Sequence, residues 1–256
     1  MVNIIAIIVK MITLKIITKP KPNYPIIAVL KMLNKQKGNM YGFVTHTWNP
    51  IKGKCSHDCS YCYMKFYKQK PLHLVEKELE DDLGSGNFIF VGSSTDMFAD
   101  DVPREWILKV LSHCNKYPNN KYLFQTKNTR RYADFIGSYP MDNILGTTLE
   151  SNRSYIQFSK APDIGERISY MNWDNTMVTI EPIMDFDLIP FIQIINQIKP
   201  KWVNIGADSK GHKLPEPSEE KIRSLINQLR QFTEVKLKPN LARLCPTEDI
   251  IAVKKH

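Results

Sequence analysis

Between Gly53 and Met64 the chain reads GKCSHDCSYCYM, which puts three of its five cysteines, Cys55, Cys59 and Cys62, within eight residues. Thiols this close can hold a metal centre, close a disulfide, or simply pack. The odd count and the tight grouping argue against the disulfide framework of a secreted protein, which spreads an even number of cysteines over a short chain. Structural zinc normally takes four protein ligands in paired Cys or Cys/His arrangements. His57 supplies a fourth on paper, but it lies inside the loop between Cys55 and Cys59, where one turn can hardly aim all of these side chains at one ion. An iron-sulfur cluster, which cysteine thiolates hold, is the other candidate. With three protein thiolates it keeps one iron open, and an open metal position is where a substrate or cofactor binds. Cys114, in a helical pattern, and Cys245, near the end, read as ordinary buried or half-buried thiols.

The elements that must position this loop follow a rhythm of short apolar runs and amphipathic stretches. Strands are predicted over Tyr41 to Trp48, Asn87 to Gly92, Lys121 to Thr126, Asn143 to Leu149, Met177 to Pro182 and Lys201 to Gly206, each rich in the β-branched or aromatic residues of buried parallel strands. Helices are predicted over Leu74 to Asp82, Pro103 to Asn115, Thr129 to Ile136, Pro162 to Met171, Leu188 to Ile198 and Ser218 to Phe232. Pro103 starts one, with Trp106, Ile107, Val110 and Leu111 on one stripe, and Ser218 caps another. A short strand, Val235 to Lys238, closes the array. Alternating strands and helices imply an α/β fold with a parallel sheet, and six units suit either a doubly wound open sheet or a partial barrel. In both, ligands bind at the carboxyl ends of the strands. Here those ends read WNPIKGKC, GSSTDMFADD, QTKNTRR, TTLESNR, IEPIMD and GADSKGHK, all polar and each following an apolar run.

Length and composition fit one domain with a sizeable core. The chain has 256 residues, with 43% apolar and 24% charged residues, which excludes global disorder. A net charge of +9 favours an anionic partner such as nucleic acid, although no arginine-rich block or nucleic-acid motif accompanies it. The opening MVNIIAIIVKMITLKIIT is interrupted by Lys10 and Lys15, is too short to span a bilayer and is followed by no small-residue cleavage site. It reads as a strand or hairpin added to the domain, or as an upstream extension if Met11 is the start. The expectation is a cytoplasmic protein without a membrane partner. It has an N-terminal extension at 1–39, a core at 40–240 and a C-terminal tail at 241–256.

The motif Cys55, Cys59, Tyr61, Cys62, in a loop after the first strand, resembles the signature of the radical S-adenosylmethionine (SAM) superfamily. The longer stretch WNPIKGKCSHDCSYCYM resembles two branches of it, as do SSTDMF, QTKNTRRY, EP and KPN at later strand ends. These are phage-type three-cysteine-motif proteins of unknown function and DNA repair photolyase-like proteins related to spore photoproduct lyase. The resemblance covers roughly residues 40 to 240. It implies a partial (β/α)6 TIM-type barrel in which Cys55, Cys59 and Cys62 ligate three irons of a 4Fe-4S cluster. The amino and carboxylate groups of S-adenosyl-L-methionine chelate the fourth iron. Reduction then cleaves SAM to methionine and a 5'-deoxyadenosyl radical, which abstracts hydrogen from a substrate. An external electron donor is implied.

For the remaining site residues the resemblance implies cofactor-binding roles. Ser93, Ser94 and Asp96 stand where the superfamily often has a glycine-glycine-glutamate run that meets the SAM amino group. Glu150 is placed for ribose hydroxyls and Tyr61 for adenine. Lys127 and Lys238 bring cations to SAM carboxylate or a substrate phosphate, and Glu181 lies on the cavity floor or meets substrate. His57 and Asp58 read as loop residues. Lys54 is one residue more than relatives usually carry between the glycine and the first cysteine. Cys114 and Cys245 are the cysteines to test as a hydrogen-atom relay. The expected function is a radical SAM enzyme acting on an unknown substrate, nucleic acid being one fitting the charge. The competing readings are a metal- or cluster-stabilised nucleic-acid-binding module without catalysis, and a component of a phage or mobile-element system with a separately encoded partner protein.

Overall fold

The computed structural model describes residues 33–246. The strand or hairpin expected in the first eighteen residues, most of the 1–39 extension and the last ten residues lie outside them. Ten strands occur among the described residues. They are β1 (Asn34–Lys35), β2 (His46–Trp48), β3 (Ile51–Lys52), β4 (His73–Leu74), β5 (Phe88–Val91), β6 (Lys121–Thr126), β7 (Asn143–Thr148), β8 (Thr176–Ile180), β9 (Trp202–Ile205) and β10 (Glu234–Leu237).

All except β3 and β4 form one sheet, in chain order from β1 to β10. From β2 onward every pairing is parallel, and only β1 runs antiparallel, to β2. Each parallel step needs a crossover. Four of these carry α-helices: α1 (Arg104–Asn115), α2 (Ile164–Ser169), α3 (Leu188–Ile198) and α4 (Glu219–Leu229). A sheet that adds each new strand beside the last, without reversing, curls in one direction with its helices outside. That is the partial TIM-type barrel expected from the sequence. β1 belongs to the sheet and Leu241 to the buried core.

Three expected elements differ. Leu74 to Asp82 is not an α-helix: β4 is followed by a 3-10 helix, Glu76–Glu80. Glu76, Glu78, Glu80, Asp81 and Asp82 would set like charges four residues apart on an α-helix. Thr129–Phe135 is likewise 3-10, pinned by Thr129 Oγ1 donating to Arg167 O at 2.8 Å and by the Arg131 guanidinium on Val102 O at 3.0 Å. The first long strand is shortened because Val44 N–H turns back to Tyr41 O, at 3.1 Å, and sends the Tyr41 ring into the barrel. Ser218 caps α4 as expected, accepting from Lys221 N–H.

Side chains alternate between two cores. Outward residues such as Val91, Phe124, Val178 and Ile205 pack with Ile107, Val110, Leu111 and Cys114 of α1 and with the other helices. Inward residues fill the barrel in layers. Phe90, Leu123, Ile144, Met177 and Trp202 make an apolar layer, and Gly146 leaves room beside the Met177 side chain, which an added Cβ would meet at 2.9 Å. One step toward the carboxyl ends lie Gln125, Thr148, Thr179 and Asn204. Gln125 Nε2 donates to Thr148 Oγ1 at 3.0 Å, and Tyr41 OH lies 2.9 Å from Gln125 Oε1 and 2.8 Å from Thr179 Oγ1. Two residues further along β6, β7 and β8, at the mouth, the positions are charged, Lys127, Glu150 and Glu181, and Lys238 joins them just past β10. Tyr41→Phe therefore strands polar partners inside the barrel and should cost about 1–3 kcal/mol in chemical denaturation with the fold retained.

Candidate cofactor site at the barrel mouth

The cysteine loop is an excursion on a two-stranded ribbon. β3 and β4 pair antiparallel, Ile51 with Leu74 and Lys52 with His73. The next rung, Lys54 N–H to Lys70 O at 3.0 Å, absorbs the extra lysine before the first cysteine. Gly53 makes the closure feasible. Its φ is +114°, and a Cβ there would lie 2.4 Å from Pro71 O. Within the loop, turns join Asp58 N–H to Cys55 O and Cys62 N–H to Cys59 O, at 3.3 and 3.1 Å. Asp58 adopts the left-handed region, φ +47°, which aspartate tolerates better than most residues. The segment after β7 clamps the far side through Ser60 N–H to Phe158 O and Lys160 N–H to His57 O, both 2.7 Å.

Cys59 is buried, while Cys55 and Cys62 are half-buried, and all three are free thiols. Burial pushes Cys55 up to about 12, with the Asp96 charge adding to it, and burial also raises Cys62. Metal binding at these positions would release protons, since thiolate is the ligand form. Among the described residues no three His, Cys, Asp or Glu side chains are brought together around one ion. That arrangement does not suit a single zinc. Three free thiols are instead the donor set a cluster takes, with each thiolate on a different iron.

Asp96 is the anchor under this loop. Its Oδ2 accepts from Lys127 N–H at 2.9 Å and Thr126 Oγ1 at 2.8 Å and meets His57 Nε2 at 2.8 Å, while its Oδ1 accepts from Phe98 N–H at 2.9 Å. Burial pushes its pKa up, but His57 and these donors outweigh burial and hold it below the ordinary value. Both oxygens are therefore engaged within the chain. His57, expected as a plain loop residue, is a buried strut. Ser93 and Ser94 both donate to Asn49 Oδ1, each at 3.1 Å, and Ser94 N–H joins them at 3.0 Å. Tyr63 OH donates to Ser93 O at 3.1 Å, so the turn after β5 is stitched to the ribbon.

Beside the cysteines stands a buried charge network. Glu150 Oε1 lies 2.7 Å from Lys127 Nζ and 2.5 Å from Tyr61 OH, and Oε2 lies 2.8 Å from Arg167 Nη1. Burial alone would neutralise both partners. Instead Glu150 holds Lys127 well above its ordinary range, and Lys127 with Arg167 holds Glu150 well below its own. Lys127 also donates to Cys59 Sγ at 3.3 Å and lies 4.5 Å from the Tyr61 ring centre. Tyr61 and Glu150 then line a cavity of about 320 Å³, together with Arg153, Tyr155, Asp163 and Met184.

Across the mouth, Glu181 accepts from Lys238 at 2.6 Å, Asn240 at 3.0 Å and Asn39 at 3.1 Å. Gly206 permits this, because a Cβ there would meet Glu181 Oε1 at 2.8 Å. Asn39 and Asn240 border a second, open groove with Ser209 and Arg243. Cys114 and Cys245 are both buried in the outer core and line neither cavity. Reading the sequence missed Asn49, Arg167 and Tyr41. Only Asn49 carried a signal, standing at a strand end in WNP.

A family model described as a protein of unknown function, DUF5131, matches residues 40–235. The chain belongs to the DUF5131 family. No curated protein matches it. Solved structures with the same architecture include a spore photoproduct lyase variant with bound AdoMet and dinucleoside spore photoproduct. Its TM-score is 0.62 at 10% identity, over 82% of this chain and 79% of that chain. The lyase complexed with dinucleoside spore photoproduct gives 0.59 at 10% identity, over 82% and 79%. At such identities the likeness establishes the shared fold. No helix among the described residues of this DUF5131 protein is long and apolar enough to cross a membrane.

Removing the Glu150 charge leaves Lys127 and Arg167 without their counter-ion. Glu150→Gln should destabilise the protein by about 3 kcal/mol at neutral pH in urea melts. The folded pKa of Glu150 lies below its unfolded value. The stabilisation is thus complete above that unfolded value, about 4.3, and fades as pH falls toward the folded one. The gap between wild type and Glu150→Gln should accordingly narrow in acid.

Proposed function

We propose that this protein is a radical SAM enzyme in which Cys55, Cys59 and Cys62 hold a 4Fe-4S cluster. The observation that carries the reading is the three-thiol loop, held by its own ribbon at the carboxyl-end mouth of a partial barrel. The thiols are free and stand next to a cavity of nucleoside size, with Cys59 Sγ 3.1 Å from Ser159 Oγ on its wall. Bound there, cluster and SAM would supply reductive C–S cleavage and hydrogen abstraction, which no side chain can provide.

The residues of the chain divide the supporting work. Lys127, protonated and 3.3 Å from Cys59 Sγ, offsets the negative charge that three thiolates bring into the mouth. Tyr61 and Glu150 wall the nucleoside cavity. Glu150 has lone pairs left for a ribose hydroxyl beyond its three protein partners, and Arg167 holds the carboxylate in place. Ser93 and Ser94 form the turn for the SAM amino group, fixed from below by Asn49. Asp96 acts through His57 and Lys127 and is a positioning residue. Glu181, with Lys238, faces the substrate side of the mouth. The substrate is anionic in keeping with the +9 charge, with nucleic acid as the class proposed. An external reductant serves the cluster, and the protein works in the cytoplasm, where thiols stay reduced. Kinship with the phage-type branch, and with it a separately encoded partner, is part of the same proposal.

Anaerobic reconstitution with iron and sulfide should give a brown protein with roughly four irons per chain. Reduction in the presence of SAM should release 5'-deoxyadenosine. Cys59→Ala should lose both signals, and Cys114→Ala should keep both. A fully loaded cluster that yields no deoxyadenosine would replace the enzyme by a cluster-stabilised binding module.

A further inference from the structure

Beyond the third cysteine, the tip of the ribbon makes almost no use of its own aromatic surface. The 3-10 helix Tyr63–Phe66 buries none of its residues. Tyr63, Phe66 and Tyr67 are 46%, 60% and 64% exposed, three large rings within five positions. Between and around them stand Lys54, Lys65, Lys68 and Lys70, all exposed. Lys65 is paired with Asp58 at 2.7 Å. Lys54, Lys68 and Lys70 meet no carboxylate among the described residues, and neither does Lys210, whose Nζ lies 5.6 Å from the Phe66 ring centre. Part of the excess charge of the chain thus stands unneutralised at the ribbon tip, interleaved with rings that are about half exposed or more.

That place is fixed relative to the candidate cofactor site. Tyr63 OH is tied to the turn after β5 through Ser93 O, and the Phe66 ring stands 6.0 Å from the His212 ring in the loop after β9. The patch therefore borders the barrel mouth. Apolar rings alone would suit a protein partner, but such interfaces are depleted in lysine. Free lysines interleaved with exposed rings match a strand whose phosphates and unpaired bases are both within reach, bases stacking on rings while ammonium groups track the backbone.

We infer that the ribbon tip, Tyr63, Phe66 and Tyr67 with Lys54, Lys68 and Lys70, binds an unpaired nucleic-acid strand and presents it to the barrel mouth. This deepens the proposed function by naming its substrate class, and it rests on that reading for its catalytic consequence. Stacking and phosphate pairing use groups common to DNA and RNA, so the tip distinguishes unpaired from paired strands rather than one sugar from the other. A duplex hides its base faces and can satisfy only the lysines.

Fluorescence anisotropy with the full chain, as isolated and after reconstitution, on labelled single-stranded DNA, single-stranded RNA and duplex DNA tests this. Both single strands should bind alike and more tightly than duplex. Phe66→Ala with Tyr67→Ala should weaken single-strand binding by at least about tenfold, by the stacking lost per base. Lys54→Gln, Lys68→Gln and Lys70→Gln together should lower the slope of log affinity against log salt by about 2. Lys116→Gln with Lys201→Gln, at the opposite end of the barrel, should leave binding unchanged. The tip residues are exposed, and an unaltered melting temperature confirms that each variant is folded. Duplex bound as well as single strands, or tip variants that bind like wild type, would overturn the inference, as would capture of an acidic protein in place of oligonucleotide. Binding without deoxyadenosine formation leaves the inference standing and removes the enzyme reading. Deoxyadenosine formation without tip-dependent binding does the reverse.

Discussion

A carboxylate sealed inside a protein must find cations, and much of this barrel mouth is arranged around one such demand. Glu150 has Lys127 on one oxygen and Arg167 on the other, and it draws in Tyr61 from the cysteine loop. The elements supplying those groups are β6, β7, α2 and the ribbon excursion, none adjacent in sequence to all the others. Because unpaired buried charge is far costlier than a lost surface pair, the network fixes how these elements close on one another. It also sets Lys127 against Cys59, so the charge that holds the fold together is the same charge that faces the thiols.

The barrel interior follows from the two-residue repeat of a strand. Apolar, neutral polar and charged layers succeed one another along β6, β7 and β8, and Tyr41 bridges the middle layer. The change in polarity from base to mouth gives the barrel a dry floor and a charged rim. A ligand at the rim lies above side chains that are already hydrogen-bonded to each other, so few of them need to move when it binds.

The alternation of strands and helices and the placement of the cysteine loop were legible because they depend on local signals, namely apolar runs, turn residues and thiol spacing, whereas the choice of a partial barrel over a doubly wound sheet rested on the resemblance carried by the cysteine motif. Lys127, Glu150, Glu181 and Lys238 were legible one by one, as polar residues just past a strand. Their pairing was not, since it depends on the register between neighbouring strands. Asp96 carried a site-like position, but its partners come from three separate segments. Arg167 looked like any helix-surface arginine, and Tyr41 looked like a strand residue until the turn at Val44 swung it inward. The expected helix after the cysteine loop is a single 3-10 stretch, and its acids at helical spacing count against a longer helix.

The ribbon under the cysteines has a thermodynamic consequence of its own. Holding three thiols in a long loop ordinarily costs chain entropy that a metal must offset when it binds, which is why small zinc modules unfold without it. Here β3 and β4, the Lys54 to Lys70 rung and the close approach at Gly53 have already shut the loop, and the barrel beneath is held by its own core. A metal centre assembled at these thiols would be a graft onto a finished scaffold rather than a folding event. Its loss would leave the barrel and the ribbon in place.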